Sequence, residues 1–369
     1  MKLRHLFCLS LIGIGSVARA DLSSSIEKLR AVDREGKGNA EATAAWKEIV
    51  KSDASALTTI LGGMNGANPL AENWLRTAAG VVAEKAAKDS GVPTDSLVAF
   101  LQDTKNAPAP RVLAFDLIRK SKPEMSEKLA MNLLADPSSE LRRYPVSKLI
   151  EEGEAALAAN NKDGAADTFQ KALVAARDED QIKSVAKKLR DLGKTVDLPK
   201  HFGFLMKWQL IAPFTNVERK GFDEVFSPEK EINFTASYPG KGSDAKWVPF
   251  ESKDDYGMID FNKPFTMLKE VTGYAYTEFN SAEERSAEIR IGCKNGWKVW
   301  LNGELLFARD EYHRGMKLDQ YKLPVHLKKG ANKILVKCCQ NEQMENWTVE
   351  WQFQMRICDA TGTAIAEAK

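Results

Sequence analysis

The sequence predicts two structural classes in one chain: an α-helical N-terminal half, then a C-terminal half of antiparallel β-strands. In residues 21–198, apolar residues recur at three- and four-residue spacing, which is typical of amphipathic helices. After Pro199 the glycine and aromatic content rises and the apolar spacing shifts toward two, which indicates strands. A length of 369 residues leaves room for two or three domains. We therefore predict a helical domain at residues 21–198 and a β-domain at residues 199–366.

The first twenty residues have the features of a secretory signal peptide. Lys2 and Arg4 precede an apolar run at residues 6–17, and Ala18-Arg19-Ala20 matches the small-x-small cleavage pattern. The run is too short to span a bilayer comfortably, although a short membrane anchor is the alternative. We expect cleavage after Ala20 and export to the periplasm or the extracellular space.

The net charge of the chain bears on two classes of partner. The chain has 53 basic and 51 acidic residues, and the predicted leader holds three of the basic residues and no acid. The mature chain is therefore almost neutral, which gives no electrostatic reason to expect nucleic acid or an anionic membrane as a partner. No later stretch is apolar enough to cross a membrane, so we expect no span after cleavage.

The helical half reads as a string of short helices joined by short loops. Prolines precede or open several of them, where a missing N–H costs little. Such a string is typical of a repeat solenoid rather than of one bundle. The predicted helices are residues 24–32, 40–50, 70–88, 94–101, 111–120, 124–134 and 140–150.

Two segments of this half resemble known helical repeats. Residues 135–142 (Ala-Asp-Pro-Ser-Ser-Glu-Leu-Arg) resemble the inter-helix corner of HEAT-like repeats, where Asp136 or Ser138 would cap the next helix. Residues 154–175, with small residues around Phe169, resemble a tetratricopeptide repeat. These resemblances imply a protein-binding surface on residues 21–198. A helical spacer that packs on the β-domain is the alternative.

In the β-half, two hairpins carry the strongest local signal. Asn302-Gly303 lies between two apolar segments, and this pair accepts the positive φ angles of a type I′ turn. In the preceding strand, positions 297, 299 and 301 share one face, and Trp300 lies on the other, less buried face. A second hairpin is predicted at residues 324–338, where Asn332 can hydrogen-bond across the turn.

The residues of these two hairpins resemble those of a known family of β-domains. The run Val-Trp-Leu-Asn-Gly, followed by Leu-Lys-Lys-Gly-Ala-Asn-Lys-Ile-Leu-Val-Lys, is similar to the galactose-binding-like jelly-roll family. Its best-known member is the sugar-binding sandwich of family 2 glycosidases. The resemblance implies an antiparallel β-sandwich of jelly-roll type that binds sugar or serves as a spacer. The turn Cys293-Lys294-Asn295-Gly296 departs from the Asp-rich turn of many similar modules.

Further strands are predicted at turn-punctuated intervals, which is typical of a two-sheet sandwich. In the last of them, the odd-numbered residues from Trp347 to Ile357 share one face. These strands are residues 201–211, 246–249, 256–261, 271–279, 285–292 and 347–357.

The cysteines after the leader are Cys293, Cys338, Cys339 and Cys358, all on predicted strands. No Cys-x-x-Cys pair or histidine at zinc spacing accompanies them. Adjacent Cys338 and Cys339 point to opposite sheet faces. Export permits a disulfide of Cys293 with either of them, and buried free thiols are the alternative.

No catalytic or cofactor motif is found in the sequence. A Gly-x-Ser-x-Gly elbow, a phosphate loop, a dinucleotide fingerprint and a His-Glu-x-x-His helix are all absent. We therefore predict a non-catalytic protein without a cofactor or metal. A glycosidase pair of carboxylates can lie far apart in the chain, so a hydrolase stays an alternative.

The candidate ligand-binding residues lie at the Asn-Gly hairpin, in the loop after it and near the last strand. Aromatic faces stack on sugars, while amide, guanidinium and acid groups bind hydroxyls. The alternative is a buried Trp and a solvated loop, pinned by a salt bridge between Arg314 and Asp319. The candidates are Trp300, Asn302, Arg309, Tyr312, Arg314 and Trp347.

Together these patterns predict an exported, non-catalytic binding protein. Its helical repeats would contact a protein, and its β-sandwich would bind a carbohydrate or cell-surface polymer. One alternative is a structural or assembly protein of the cell envelope without a small ligand. A second is an accessory module associated with a glycoside hydrolase.

Overall fold

The computed structural model describes residues 13–368, with side chains from residue 21 onward. The chain forms two compact units, one up to Ala158 and one from Ala159 onward. The predicted order of helices followed by antiparallel sheets is confirmed. The predicted domain bounds, residues 21–198 and 199–366, stay predictions. The predicted leader lies mostly outside the described residues, so its cleavage stays a prediction too. Among residues 13–368, no helix has both the length and the apolar character that a membrane crossing requires.

The first unit is built of α-helices around one hydrophobic core of leucine, isoleucine and alanine side chains. Each of the seven predicted helices falls on an observed helix, and Pro69 and Pro123 open theirs as predicted. Helix α3 was not predicted because six residues are too few for a periodic signal. The helices are α1 (Gly13–Arg30), α2 (Asn39–Ile49), α3 (Leu57–Gly62), α4 (Pro69–Asp89), α5 (Thr94–Gln102), α6 (Pro108–Ser121), α7 (Pro123–Ala130) and α8 (Ser139–Ala158).

A buried ion pair holds the turn before α8, at the corner that resembles a HEAT-like repeat. Arg111 Nη2 lies 2.5 Å from Asp136 Oδ2, and both side chains are almost fully buried. Arg111 Nε also donates to the carbonyl of Leu101 at 2.7 Å. Asp136 Oδ1 accepts a hydrogen bond from the Ser138 N–H at 2.8 Å. One carboxylate thus neutralises the arginine and closes the turn, while the repeat type stays a prediction.

The second unit begins with helices and continues with strands. Phe169 is fully buried on the first of these helices, among small residues as predicted. Arg177 Nε, just after that helix, donates to the carbonyl of Thr361 at 3.1 Å. The helices of this unit are α9 (Lys162–Ala175), α10 (Glu179–Asp191), α11 (Leu198–Phe202), α12 (Ser227–Lys230) and α13 (Asn262–Phe265).

The strands form two antiparallel sheets. One has seven strands in the order β2-β3-β1-β5-β10-β7-β8, and the other has four in the order β4-β11-β6-β9. The strands are β1 (Lys207–Thr215), β2 (Ser237–Tyr238), β3 (Ala245–Glu251), β4 (Met258–Asp260), β5 (Val271–Ser281), β6 (Arg285–Cys293), β7 (Gly296–Leu301), β8 (Glu304–Arg309), β9 (Tyr321–Leu327), β10 (Gly330–Gln340) and β11 (Gln352–Cys358).

The two sheets share one core of aromatic and aliphatic side chains. Trp297, Val299 and Leu301 are buried in it, as the alternation in β7 predicted. The Asn-Gly turn is also confirmed, because Asn302 has φ 53° and Gly303 has φ 89°. The jelly-roll topology stays a prediction.

Two predicted strands are wrong in part. Residues 201–202 belong to helix α11, which Asp197 caps through its contact with the Lys200 N–H, so the strand starts only at Lys207. Residues 346–348 form a 3₁₀ turn in which Trp347 is 60% exposed rather than in the core. The Thr348 hydroxyl lies 2.7 Å from the Glu345 carbonyl oxygen and 2.9 Å from the Gln343 carbonyl oxygen, just before this turn, and shares its proton with them, which holds the turn away from strand geometry.

Candidate binding site

The outer face of the seven-stranded sheet, which points away from the four-stranded sheet, is partly covered by residues 216–238. A second apolar cluster joins strand residues to this segment. Phe226 packs on Phe214 with ring centroids 4.8 Å apart, and Phe234 packs on Tyr276 at 5.5 Å. The segment therefore walls clefts on a sheet face that would otherwise be open.

A buried lysine ties this segment to the sheet. Lys337 of β10 is fully buried, and its Nζ donates to the carbonyls of Phe222 and Glu224 at 3.0 and 2.6 Å. Its Nζ also lies 2.9 Å from Glu229 Oε1, which accepts a further hydrogen bond from the Tyr274 hydroxyl. Burial lowers the pKa of Lys337, and the Glu229 carboxylate opposes that shift. The ion pair thus fixes the position of α12.

One row of outward-facing side chains crosses five strands. The strand registers place Gln209 beside Pro249 and Tyr276, then Leu335 beside Tyr276 and Trp300. Neighbouring strands lie about 4.8 Å apart, so the row is about 19 Å long. Tyr276 and Leu335, in the middle of the row, are only 7% and 9% exposed, so its accessible amide and aromatic groups are those toward its two ends.

A second, polar row flanks the first. Lys207 of β1 pairs with Glu251 of β3, and Glu278 of β5 pairs with Lys333 of β10. Lys333 N–H then donates to Asn302 Oδ1 at 3.0 Å. The Tyr276 hydroxyl of the first row donates to Glu278 Oε1 at 2.5 Å and fixes that carboxylate. Charged donors and acceptors thus alternate along one edge of the aromatic row.

Two clefts lie along these rows, and Tyr276 lines both. The larger, which we call the β3–β5 cleft, has a volume of about 680 Å³. Phe234 forms a wall of it and is 48% exposed. The size is that of an ordinary ligand pocket. Its lining residues are Lys207, Trp208, Gln209, Phe234, Pro249, Phe250, Glu251, Tyr276, Thr277 and Glu278.

The smaller cleft, which we call the hairpin cleft, has a volume of about 230 Å³. It contains two of the predicted site residues, Trp300 and Asn302. Trp300 is half-buried there, whereas the Asn302 amide is already bonded to Asn332 and to the Lys333 N–H. Trp300 is thus placed to touch a ligand, while Asn302 shapes the cleft. The lining residues are Pro228, Glu229, Lys230, Glu231, Ile232, Tyr276, Trp300, Asn302, Gly303, Lys333 and Leu335.

The other four predicted site residues lie elsewhere. Tyr312 packs against Gly296, at the opposite end of β7 from Trp300 and about 13 Å along the strand. Its hydroxyl accepts a hydrogen bond from Asn216 Nδ2 at 3.2 Å, and burial raises its pKa. The Trp347 ring lies 5.7 Å, between ring centroids, from the ring of His313, which is the residue after Tyr312 in the chain. The six residues therefore do not form one site.

Both candidate arginines of the loop pair with the same acid. Arg309 Nη2 lies 2.7 Å from Glu311 Oε1, and Arg314 Nε lies 3.7 Å from Glu311 Oε2. The suggested pair of Arg314 with Asp319 is wrong. Asp319 binds Arg356 and Arg290 instead, at 2.6 and 2.7 Å, because their buried guanidinium groups need an acid within the sheet.

Among the described residues, no group of three or more His, Cys, Asp or Glu side chains is arranged to hold a metal ion. The four cysteines of the second unit are buried free thiols in this structure. The candidate ligand-binding surface is formed by the two outward-facing rows and the two clefts beside them.

The β3–β5 cleft was not predicted from the sequence. Its residues come from three strands and from the covering segment, and only the strand register brings Gln209, Glu251 and Glu278 to one face. The outward positions of the alternating strands β1 and β5 were the available signal. Phe234 gave no such signal in the sequence, because it lies in a segment whose apolar residues show no periodicity.

Comparison with known proteins gives only partial likenesses. No family model matches the chain, and no curated protein matches it. An alpha-xylosidase from Xanthomonas citri aligns with a TM-score of 0.21 and 7% identity, over 31% of this chain and 15% of that one. Two beta-glucuronidase structures from Ruminococcus gnavus, in complex with uronic isofagomine and with D-glucaro 1,5-lactone, align over 42% of this chain. Their TM-scores are 0.24 and 0.25, their identities are 14% and 15%, and the chain covers 27% and 28% of them. The chain thus spans less than a third of these enzymes, and such TM-scores carry no argument about its function.

Proposed function

We propose that this chain is an exported, non-catalytic protein that binds a linear carbohydrate across the outer face of its seven-stranded sheet. The observation that carries the proposal is the row from Pro249 through Gln209, Tyr276 and Leu335 to Trp300, with a cleft at each end. The β-domain is proposed to be a galactose-binding-like sandwich of jelly-roll type. The export rests on the predicted leader.

The chemistry of the rows suits a sugar chain. Carbohydrates present apolar ring faces and a rim of hydroxyls, so they need flat apolar surface beside alternating donors and acceptors. Phe234 and Trp300 supply partly exposed aromatic surface at the two clefts. Lys207, Glu251 and Glu278 supply the donors and acceptors beside one of them.

The length of the rows favours a chain over a single sugar. Ile232 lines the hairpin cleft, Phe234 lines the β3–β5 cleft and Tyr276 lines both, so the two clefts are neighbours along the row. A monosaccharide would fill one cleft only. We therefore propose an oligosaccharide or polysaccharide as ligand, with separate contacts in the β3–β5 cleft and the hairpin cleft.

Binding of wild-type protein to a polysaccharide array tests the proposal, with Phe234→Ala and Trp300→Ala as cleft variants. Each variant is expected to lower the affinity about five- to tenfold, since loss of one stacking contact is worth about 1–1.4 kcal/mol. Trp347→Ala is the matched control, because it removes an exposed aromatic outside both clefts. Absence of binding to every polysaccharide, or equal loss in the control, would contradict the proposal.

The proposal that the protein is non-catalytic needs its own test, because two carboxylates, Glu251 and Glu278, line the same cleft. Wild-type protein incubated with the polysaccharide it binds is expected to produce no new reducing ends. Production of reducing ends that Glu251→Gln or Glu278→Gln abolishes would make the protein a hydrolase. For residues 21–198, we propose a protein partner, on the strength of the repeat-like helices alone, and cross-linking in the producing cell tests it.

A further inference from the structure

Two cysteines from different sheets meet in the shared core. Cys293 ends β6 in the four-stranded sheet, and Cys338 lies in β10 of the seven-stranded sheet. Their Sγ atoms are 3.9 Å apart. Cys293 is 4% exposed and Cys338 is fully buried. The two thiols therefore face each other where the sheets pack together.

The other two cysteines have different surroundings. Side chains alternate along a strand, so Cys339 points to the outer face, where its Sγ lies 3.4 Å from Thr272 Oγ1. Cys358 in β11 contacts the carbonyl of Glu288 at 3.9 Å. Cys293 and Cys338 are thus the pair that the two sheets bring together.

We propose that Cys293 and Cys338 close an inter-sheet disulfide when the chain folds with access to a disulfide oxidant. One protein thiolate attacks the oxidant's disulfide and releases one small thiol. The second protein thiolate then attacks the mixed disulfide and releases the other. The protein loses two protons and two electrons, and the oxidant gains both. This inference is independent of carbohydrate binding.

The structure also indicates when the bond forms. Burial raises the pKa of the Cys338 thiol, and only the thiolate reacts. The Trp351 indole N–H donates to the Cys338 carbonyl at 3.0 Å, and its ring is fully buried beside it. A folded core therefore hides the pair from reagents, so oxidation precedes closure of the sheets. The bond would link residues 45 positions apart.

Oxidative refolding of the full chain tests the inference. The unfolded, reduced protein is refolded with oxidised and reduced glutathione, and its free thiols and linked peptides are measured by mass spectrometry. Two of the five thiols should disappear, and the Cys293 peptide should be linked to the peptide that holds Cys338. Cys339→Ala should keep the link, while Cys338→Ala and Cys293→Ala should lose it.

Thermal unfolding provides a second readout. Oxidised wild-type protein should unfold about 5–15 °C higher than reduced protein, and Cys338→Ala should show no such difference. Five free thiols in refolded wild-type protein, or a link from Cys293 to Cys339, would overturn the inference. The wild-type result stands even if a variant fails to fold.

Discussion

Asp319 accepts two parallel hydrogen bonds from Arg356, each 2.6 Å long, from Nε to Oδ1 and from Nη2 to Oδ2. Arg290 adds a third at 2.7 Å. Arg356 is 1% exposed, so this carboxylate is the anion that neutralises its buried positive charge. Arg356 also donates to the carbonyls of Phe202 and Gly362 at 3.0 Å each. Asp319 thus joins the end of the long loop to the four-stranded sheet and to two distant segments.

Asp319→Ala is expected to destabilise the protein by about 3–5 kcal/mol, because it leaves the buried Arg356 guanidinium without its anion, while Arg290 keeps Glu288 at 2.7 Å. Urea unfolding at pH 7 measures this. Asp167→Ala on the exposed side of α9 is the matched control and should change stability by less than about 0.5 kcal/mol. Equal effects of both substitutions would show that the network contributes little.

The same carboxylate predicts a pH dependence. Burial raises the pKa of Asp319, but hydrogen bonds and charges from Arg356 and Arg290 outweigh this and hold it below 3.8. A depressed folded pKa stabilises the protein above the unfolded pKa, and this stabilisation is lost as pH falls through the folded value. The stability gap between wild type and Asp319→Asn should therefore shrink below about pH 4. A gap that stays constant from pH 7 to pH 3 would contradict the assignment.

Removal of one partner of the pair formed by Lys337 and Glu229 should cost more than removal of both. Lys337→Met leaves the carboxylate without its cation and is expected to cost about 3–5 kcal/mol. Glu229→Gln leaves a buried ammonium and should cost a similar amount. The double variant should be more stable than the sum of the two effects predicts, as measured by urea unfolding. Simple additivity would mean that the two groups are not coupled.

Two substitutions of Asn302 distinguish the contribution of its backbone conformation to stability from that of its side chain. Asn302→Ala keeps a Cβ at φ 53° but removes the polar side chain that makes this left-handed conformation tolerable and that accepts the Lys333 N–H, which should cost about 2 kcal/mol. Asn302→Gly relieves the backbone and should cost about 1 kcal/mol. Thermal unfolding measures both. A glycine variant less stable than the alanine variant would exclude the left-handed turn as the cause.

The local signals in the sequence predicted local structure well. Asn302-Gly303 defined its turn, and alternation in β7 separated buried Trp297 from half-buried Trp300. The candidate site was harder, because strand register and the packing of residues 216–238 decide it. Gln209 and Trp300 lie on one row only through pairings in β5 and β10. Trp347 was placed wrongly because Thr348 holds its segment in a turn.

Calorimetric titration with a ladder of oligosaccharides from the bound polysaccharide tests the central claim most directly. Affinity should rise with chain length until both clefts are occupied and then level off. Trp300→Ala should remove only the gain from longer chains, while Gln209→Ala and Phe234→Ala should weaken short and long chains alike. Affinity that does not depend on chain length, or cleft variants that bind every oligosaccharide as wild type does, would contradict the account.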